Sequence, residues 1–397
     1  MLIKNYNSLK STKSRKAALD IINAGLSAIK TDKIISQSVK CRAKILQLTD
    51  IEDKIHQYNL TDYNKIHLIG FGKASSFMAK ALEKKIKFDS GIIISTVNVQ
   101  LKNTKIKIIK GTHPMPSLIN LKATIKIEEL LKGLDKNDLV ICLISGGGSS
   151  LLCHPKIPLK KYLELIKTGF KSGIDIYKLN KIRKRLSYVK GGKLAKLTKA
   201  SIVSLIFSDV IGDDLGTIAS GPTYGRFFKN VDNILLLNNT VALSAMKKKA
   251  TSLGLKPTIF STSISGEASV IGKKLVNTFK VKRTDCLLFA GETTVTIKAN
   301  GTGGRNLELC MGAIKGLSRL RNTALISIGS DGIDGPTDSA GAIIDSSSLK
   351  KTKKLNLDIK HYLTDNNSYP FFKKSGDLVM TDQTGSNIAD IGVIVRL

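Results

Sequence analysis

Three apolar runs of the chain each lead directly into a loop of small or acidic residues. Residues 139–144, 204–207 and 324–328 are mainly aliphatic, and the segments after them are rich in Gly, Ser or Asp. A buried strand that ends in glycine lets backbone N–H groups approach a ligand closely. Because the carboxyl ends of parallel strands meet at one edge of a sheet, these loops predict a shared binding edge. Their glycines and acids favour a phosphate group with its metal ion.

The alternation of short apolar runs with helical patterns predicts an α/β fold with a doubly wound, mostly parallel sheet. The expected strands cover residues 65–69, 91–95, 106–109, 139–144, 202–207, 286–290 and 324–328. Helical periodicity predicts mainly helix over residues 12–60, 158–200, 232–253 and 265–279. We expect one domain over residues 1–250 and a second, smaller α/β domain over residues 280–397.

The net charge of +32 raises the question of a nucleic-acid partner. Lysine supplies most of the basic residues and is spread along the whole chain, while Trp is absent and aromatic residues make up only 5%. Proteins that stack bases or insert arginine into a groove have a different composition. The charge therefore favours solvated lysine faces and no nucleic-acid partner, although the positive field would attract small anionic substrates.

The same sequence indicates a cytoplasmic protein without a membrane partner. It contains no run of about 18 apolar residues, and its first residues lack the apolar core of a signal peptide. The five cysteines are scattered without paired spacing, which favours a reducing compartment over disulfides or a zinc site.

The loop at residues 70–75 carries a lysine inside a glycine pattern. Gly70, Gly72 and Ser75 approach the dinucleotide fingerprint, but Asp89 precedes the next predicted strand instead of ending it, which weakens that interpretation. Lys73 at the strand-to-helix turn could neutralise a transferred phosphoryl group. The alternative is a lysine on a solvated surface.

A run of three glycines between serines is typical of an anion-binding loop. Its backbone is unhindered, its hydroxyls can donate, and a helix is expected to follow. It lacks the Gly-Lys-Ser/Thr of a Walker A loop, and the alternative is a tight turn. The run consists of Ser145, Gly146, Gly147, Gly148 and Ser149.

A basic face and a basic loop are further candidates for anion binding. Asn180, Arg183 and Lys184 share one helix face, which binds a carboxylate or phosphate or is simply solvated. Arg305 follows a glycine loop at a predicted helix start, where its planar fork could bind phosphate, or where it lies on a solvated first turn.

Two loops rich in aspartate follow predicted strands. Asp209, Asp213 and Asp214 follow the strand at 202–207, where they could hold Mg²⁺, act as a base toward a hydroxyl, or cap the next helix. Asp331 opens a second such loop, whose spacing does not fit an EF-hand. A solvated turn is the alternative for this loop.

Taken together, these motifs resemble the glycerate 2-kinase family with its C-terminal MOFRL domain. Their order and spacing match from about residue 17 to residue 392. The matching stretches are residues 72–74, 111–114, 145–149, 180–184, 190–192, 208–214, 219–223, 291–295, 303–306, 331–338 and 384–387. The chain departs from the family pattern at Asp382 and Gln383 and at residues 224–228.

The resemblance implies a Rossmann-like N-terminal domain, a MOFRL domain and an active site in the cleft between them. It implies transfer of phosphate from ATP, with Mg²⁺, to the 2-hydroxyl of D-glycerate, with Lys73 and Arg305 as catalytic cations. Asp209 is expected to act as base or metal ligand, with metal positions at Asp213 and Asp331. A homodimer is expected. The remaining substrate- or nucleotide-binding residues are expected to be Ser145, Gly146, Gly147, Gly148, Ser149, Asn180, Arg183, Lys190, Glu292, Asn306 and Asn387.

An NAD(P)H-dependent hydroxypyruvate reductase is the alternative, because members of this family have carried that label. The glycine pattern at residues 70–75 supports it slightly. The acid-rich loops and the position of Asp89 count against it.

Overall fold

The structure is a computed structural model that describes residues 1–171, 176–225, 228–382 and 384–397. Residues 172–175 of the predicted helical segment 158–200 lie outside the described residues. So do Arg226, Phe227 and Gln383, which belong to the two stretches that depart from the family pattern. Within the described ranges, no helix has both the length and the apolar character needed to cross a bilayer.

Helices and strands alternate over most of the chain. The helices are α1 (Tyr6–Leu9), α2 (Lys13–Ala28), α3 (Thr31–Ser38), α4 (Ser75–Leu82), α5 (Leu118–Lys132), α6 (Gly148–Leu151), α7 (Leu159–Lys171), α8 (Ile176–Arg185), α9 (Asn239–Ser252), α10 (Ala268–Val281), α11 (Arg305–Leu317), α12 (Ser348–Lys354), α13 (Ile359–Thr364) and α14 (Ser368–Ser375). The strands are β1 (Val39–Arg42), β2 (Ile45–Thr49), β3 (Ile55–Asn59), β4 (Lys65–Phe71), β5 (Ser90–Ser95), β6 (Ile106–Lys110), β7 (Asp138–Ile144), β8 (Ser201–Phe207), β9 (Val231–Leu237), β10 (Pro257–Ile264), β11 (Cys286–Gly291), β12 (Thr323–Gly329), β13 (Gly341–Asp345), β14 (Leu378–Val379) and β15 (Asp390–Arg396).

The chain divides into two compact units, which differ from the predicted domains. Thr31–Asn238 forms the contiguous unit, and Met1–Lys30 joins Asn239–Leu397 to form the composite unit. The first thirty residues belong to the composite unit because α2 packs against α9, β12 and β15. The expected domain over residues 1–250 does not separate these thirty residues, since an amphipathic helix does not reveal which distant segment it packs on.

The contiguous unit is built on a six-stranded sheet in the order β6-β5-β4-β7-β8-β9. All its neighbouring strands are parallel, which confirms the predicted parallel α/β sheet. The central strand β7 is buried at every position, as its nearly continuous apolar sequence predicts for a strand covered on both faces. The loops after β4, β7 and β8 therefore lie at one edge of this sheet.

Helix was wrongly predicted for two parts of this unit. Residues 39–59 form an antiparallel sheet of β1, β2 and β3, in which alternate residues of Ile45–Thr49 are buried. In such a segment, apolar residues that alternate with period two indicate a strand rather than a helix. Residues 231–237 form the edge strand β9 because they pair with β8, and helix α9 starts only at Asn239.

The composite unit contains a mixed six-stranded sheet in the order β10-β11-β15-β12-β13-β14. Strands β10 and β11 are parallel, and all other neighbours are antiparallel. Strand β15 lies between β11 and β12, so that Asp390 is paired with Gly291 on one side and Gly329 on the other. The start of β15 therefore lies beside the ends of the two strands that were predicted to carry functional loops.

Candidate functional site

In the contiguous unit, the loops after β4 and β7 are hydrogen-bonded to each other. The Lys73 backbone N–H donates to the Gly146 carbonyl oxygen at 2.8 Å. The Ala74 N–H donates to the Ser145 hydroxyl at 3.0 Å. Two motifs that are far apart in sequence, the lysine turn and the glycine loop, thus form one local structure.

Gly72 makes this close approach possible. Its φ of +135° lies in the region that L side chains rarely adopt, and a Cβ at this position would lie 2.6 Å from the Ser145 carbonyl oxygen. Both the backbone conformation and the space therefore require glycine. The sequence pattern predicted a turn here, and the structure gives the physical reason for its glycine.

The side chains of Lys73 and His113 lie over the glycine loop. A Cβ built on Gly147 would be 3.2 Å from Lys73 Cγ and 3.0 Å from His113 Cδ2. Lys73 is half-buried and His113 is exposed. His113 was not predicted as a site residue, although it lies in the matching stretch 111–114.

The far side of the glycine loop contacts a turn with unusual backbone geometry. The hydroxyls of Ser149 and Ser220 are 2.9 Å apart. Ala219, Ser220 and Gly221 all have positive φ, at 50°, 64° and 61°. Residues without glycine's freedom hold such a conformation only when the surrounding structure fixes it, and such strain clusters at functional sites.

Lys190 supports this loop from inside the protein. Its side chain is 1% exposed, and its Nζ donates to the carbonyl oxygens of Ser149 and Leu152 at 2.6 and 2.9 Å. Burial lowers the pKa of Lys190 to about 8. Its contacts position α6, and a direct contact with substrate stays a prediction.

The predicted basic face on α8 is partly buried. Asn180 is 7% exposed, and its side-chain oxygen has no hydrogen-bond partner among the described residues. Burial lowers the pKa of Arg183, which is hydrogen-bonded to the hydroxyl of Tyr162. A simply solvated face is therefore wrong for Asn180 and Arg183, whereas their binding role stays a prediction.

The three aspartates after β8 have separate surroundings. Asp214 accepts hydrogen bonds from the Thr217 hydroxyl and the Gly216 N–H, at 2.5 and 3.1 Å, and these bonds lower its pKa. It therefore caps the following turn. Asp213 accepts from the Asn238 side chain at 2.7 Å, and Asp209 is half-buried.

In the composite unit, Arg305 is bound by two carboxylates. Its Nε and Nη2 donate to the two oxygens of Asp390 at 2.6 and 2.9 Å, and its Nη1 lies 2.9 Å from Glu292 Oε1. Although burial alone would lower the pKa of Arg305, these carboxylates raise it above its usual value. Arg305 and Glu292 were both predicted site residues, and the structure brings them together.

Asp390 was not predicted from the sequence. The predicted site residues follow strands, whereas Asp390 begins an antiparallel strand. It reaches the same sheet edge because β15 runs in the opposite direction to β11 and β12. A rule that also considers the first residues of antiparallel strands would have found it.

A buried aspartate fixes the start of α11. Asp334 Oδ1 accepts from the backbone N–H of Asn306, and Oδ2 accepts from the Leu307 N–H, at 3.1 and 2.9 Å. Burial, the largest cause, raises the pKa of Asp334 to about 6, and the charge of Asp390 adds to the shift. The side chain of Asn306 accepts from the Ser327 hydroxyl at 2.6 Å, so it holds the helix start to β12.

Asp331 and Asn387 lie in loops that meet at Ser330. The Ser330 N–H donates to the Ala389 carbonyl oxygen at 3.0 Å, and the Ile388 N–H donates to the Ser330 hydroxyl at 2.9 Å. Asp331 accepts from the Ile333 N–H, as a residue in a turn does. Within the described ranges, no three His, Cys, Asp or Glu side chains form a group suited to a metal ion.

The two units, each with glycine loops at one edge of its sheet, define an α/β protein. A family model described as a domain of unknown function (DUF4147) matches residues 17–252, and the MOFRL family model matches residues 285–390. The D-glycerate 2-kinase of Thermotoga maritima is 33% identical, with the match covering 96% of this chain and 98% of the relative. The chain belongs to this glycerate 2-kinase family.

A solved structure supports the same relationship. The crystal structure of the Thermotoga maritima glycerate kinase has a TM-score of 0.84 at 30% identity, and the match covers 96% of this chain and 99% of that one. A protein of Agrobacterium vitis named as a putative hydroxypyruvate reductase is also 33% identical, over 83% of this chain and 98% of the relative. The family therefore contains both labels that the resemblance implied.

Proposed function

We propose that this protein is a glycerate 2-kinase, which transfers the γ-phosphoryl group of ATP to the 2-hydroxyl of D-glycerate. The observation that carries the proposal is the joined structure of the lysine turn and the glycine loop in a chain of this family. Phosphoryl transfer depends mainly on positioning and charge neutralisation, and this structure offers a cation beside unhindered backbone.

In the contiguous unit, Lys73 neutralises the transferred phosphoryl group, and the loop at residues 145–149 binds a phosphate or the glycerate carboxylate. The short hydrogen bonds between the two loops fix the distance of the lysine from the loop. Lys190 holds the loop from behind through two backbone carbonyls. Such fixed groups need no reorganisation during the reaction, which makes their charge effective.

Arg305 is the second proposed cation. Because Asp390 and Glu292 occupy three of its N–H groups, two N–H groups of the guanidinium extend beyond these pairs. These carboxylates orient the planar fork, as the second contact shell of a catalytic group commonly does. That Arg305 and Lys73 serve one active site is part of this proposal.

The reaction also needs a proton acceptor and Mg²⁺. The 2-hydroxyl oxygen bonds to the γ-phosphorus, the bond from that phosphorus to the bridging oxygen of ADP breaks, and Asp209 takes the hydroxyl proton. Mg²⁺ usually takes one or two carboxylates together with phosphate oxygens. The half-buried Asp213 and Asp331 each offer carboxylate oxygens to such an ion, which would offset phosphate charge.

The direct test combines purified protein with ATP, Mg²⁺ and D-glycerate and identifies the phosphoglycerate isomer. Formation of 2-phosphoglycerate with ADP is expected. Formation of 3-phosphoglycerate would agree with a glycerate kinase but contradict phosphorylation of the 2-hydroxyl. A chain that produces neither isomer is not a glycerate kinase.

The reductase remains the second candidate because relatives carry that name. The structure shows that Asp89 lies before β5 and accepts a hydrogen bond from the Ile66 N–H, instead of ending the strand that a ribose-binding acid would end. NADH oxidation with hydroxypyruvate, measured without coupling enzymes, distinguishes the two. Consumption of NADH without phosphoglycerate formation would favour the reductase.

We also propose a homodimer that acts in the cytoplasm on small-molecule substrates. All five cysteines are free thiols, which suits a reducing compartment. Light scattering of the purified protein tests the dimer, and a monomer mass would contradict it. Fractionation of the source cells tests the compartment.

A further inference from the structure

The composite unit contains a cavity of about 440 Å³ beside Arg305. One wall is the chain after β11, which includes Thr293, Val295 and Ile297, and another is the glycine loop at residues 301–304. Glu308 of α11 also lines the cavity. Gly304 packs so closely against the Asp334 carboxylate that a Cβ at this position would clash and shift the loop.

Two buried polar side chains face this cavity. Thr293 is 5% exposed, and its hydroxyl has no hydrogen-bond partner in the described part of the chain. Glu308 is 3% exposed and accepts a hydrogen bond from the Asn366 amide at 3.1 Å. A buried hydroxyl without a partner costs free energy, so Thr293 indicates a ligand that supplies the missing hydrogen bond.

The remaining lining limits the chemistry of that ligand. Val295 and Pro336 are apolar, and so is Ile297, which lines the cavity and is 82% exposed to solvent. The acidic side chains of Glu292 and Glu308 outnumber the one basic residue, Arg305. An anionic three-carbon acid would be repelled by Glu308 and would leave most of the volume empty, whereas a flat neutral group with N–H donors fits both the charge and the apolar walls.

We propose that this cavity binds the nucleoside of the phosphoryl donor. The amino group of the base donates to the Glu308 carboxylate, and the Thr293 hydroxyl bonds to the base. The proposal rests on the proposed kinase function, because it assigns the nucleotide of that reaction to this unit. The volume lies within the range of about 300–1,000 Å³ that is usual for sites of drug-sized ligands. Arg305 lines the same cavity and places a cation next to the phosphates.

The first test measures binding without turnover. Calorimetry with ADP and with inorganic tripolyphosphate compares the wild type with Thr293→Val, which removes the hydroxyl at nearly constant shape. Thr296→Val is the matched control, because the Thr296 hydroxyl bonds to Glu267 outside the cavity. Loss of one buried hydrogen bond corresponds to a rise of about tenfold in the ADP dissociation constant.

The second variant changes an exposed residue, so that its folding does not depend on the packing of the buried core. Ile297 is exposed, so Ile297→Asn leaves folding intact and makes an apolar wall polar without adding a charge that would repel phosphate. We expect weaker ADP binding in both variants, unchanged tripolyphosphate binding and a control like the wild type. Unchanged ADP binding in both variants would overturn the proposal. An equal loss for tripolyphosphate would also overturn it, since the effect would then lie at the phosphates.

The two proposals fail in distinguishable ways. If the protein phosphorylates glycerate but binds ADP independently of Thr293 and Ile297, the proposed function holds and the proposed nucleoside site is wrong. If it binds ADP through this cavity but does not phosphorylate glycerate, the nucleoside site holds and the proposed function is wrong.

Discussion

Lys73 and Arg305 are both proposed to act on phosphate, and the structure fixes each of them in a different way. Asp390 and Glu292 lie within hydrogen-bond distance of Arg305 and hold its guanidinium in one orientation. The Lys73 side chain lies over Gly147 of the glycine loop. We therefore expect Lys73 to act on a group bound at that loop, and Arg305 to contribute through its fixed orientation.

Lys73→Met should lower kcat by about 100-fold or more, because it removes a preorganised charge but keeps most of the aliphatic stem. The thermal unfolding temperature should stay near that of the wild type, since the Lys73 side chain is half-buried beside a loop that backbone bonds hold. Steady-state kinetics and thermal unfolding provide both values. Lys80→Met on the exposed face of α4 is the control. A kcat near that of the control would exclude Lys73 from catalysis.

Asp334 gives the composite unit a pH-dependent stability. Its pKa is raised from 3.8 to about 6, so the folded state holds a proton that the unfolded state releases. Stability from this group is therefore greatest in acid and falls as the pH rises from about 4 to about 6, by roughly 2–3 kcal/mol. Asp334→Asn should remove this fall while it keeps one acceptor for the helix start.

Chemical denaturation at several pH values, with wild type and Asp334→Asn in parallel, measures the difference. The free energy of unfolding of the variant should increase relative to that of the wild type as the pH rises from about 4 to about 6. A constant difference would show that the carboxyl has an ordinary pKa.

At the level of loops and strands, the glycine turns depend on space as much as on conformation. Gly72 and Gly212 of the contiguous unit both have positive φ, but a Cβ on Gly72 would meet the Ser145 backbone, whereas one on Gly212 would meet nothing within 4 Å. Gly212→Ala should cost only the conformational strain, about 1 kcal/mol. Gly72→Ala should cost more and also separate the two loops.

Comparison of Gly72→Ala with Gly212→Ala by thermal unfolding and by kcat tests this expectation. A lower unfolding temperature and a lower kcat are expected for Gly72→Ala. Equal unfolding temperatures would show that the loops can move apart without cost.

The sequence was sufficient for the elements that alternate in a simple way. The strands β4, β5, β6, β7 and β8 and the glycine loops after β4 and β7 were predicted because short, mainly aliphatic runs followed by small residues leave few alternatives. Strand β9 was missed because its half-buried edge sequence runs into a helix. Strand β15 was missed because its pairing, between β11 and β12, is set by distant partners.

The candidate site shows the same limit of prediction from sequence. Lys73 and the glycine loop could be found because each is a local motif. The contact of His113 with Gly147, the pairing of Arg305 with Asp390 and the cap formed by Asp334 could not, because they join residues from different loops. Local patterns name candidate groups, whereas tertiary packing decides which of them meet.

Across the whole molecule, one buried arginine links segments that are far apart in sequence. Arg15 of α2 is 4% exposed and donates to Asp345 and Asp377 at 2.5 and 2.9 Å. These carboxylates raise the pKa of Arg15 above its usual value against the opposing effect of burial. These two buried ion pairs join the first thirty residues to the rest of the composite unit.

Arg15→Met should destabilise the composite unit by about 3–5 kcal/mol, because Asp345 is left buried without its cation. Lys351 remains near Asp377 at 3.0 Å and limits the loss there. Thermal unfolding measures the effect, and Lys16→Met at the exposed neighbouring position is the control. Equal unfolding temperatures for the two variants would mean that the buried pair contributes nothing.

The order of segments in the composite unit governs how the protein can fold as it leaves the ribosome. Thr31–Asn238 is continuous, so this unit has all its strands soon after it is synthesised. Helix α2 is synthesised earlier, yet two of its sheet partners, β12 and β15, emerge long afterwards. The apolar face of α2 and Arg15 therefore lack their sheet partners until β15 has been synthesised, and during that time they are open to water and chaperones.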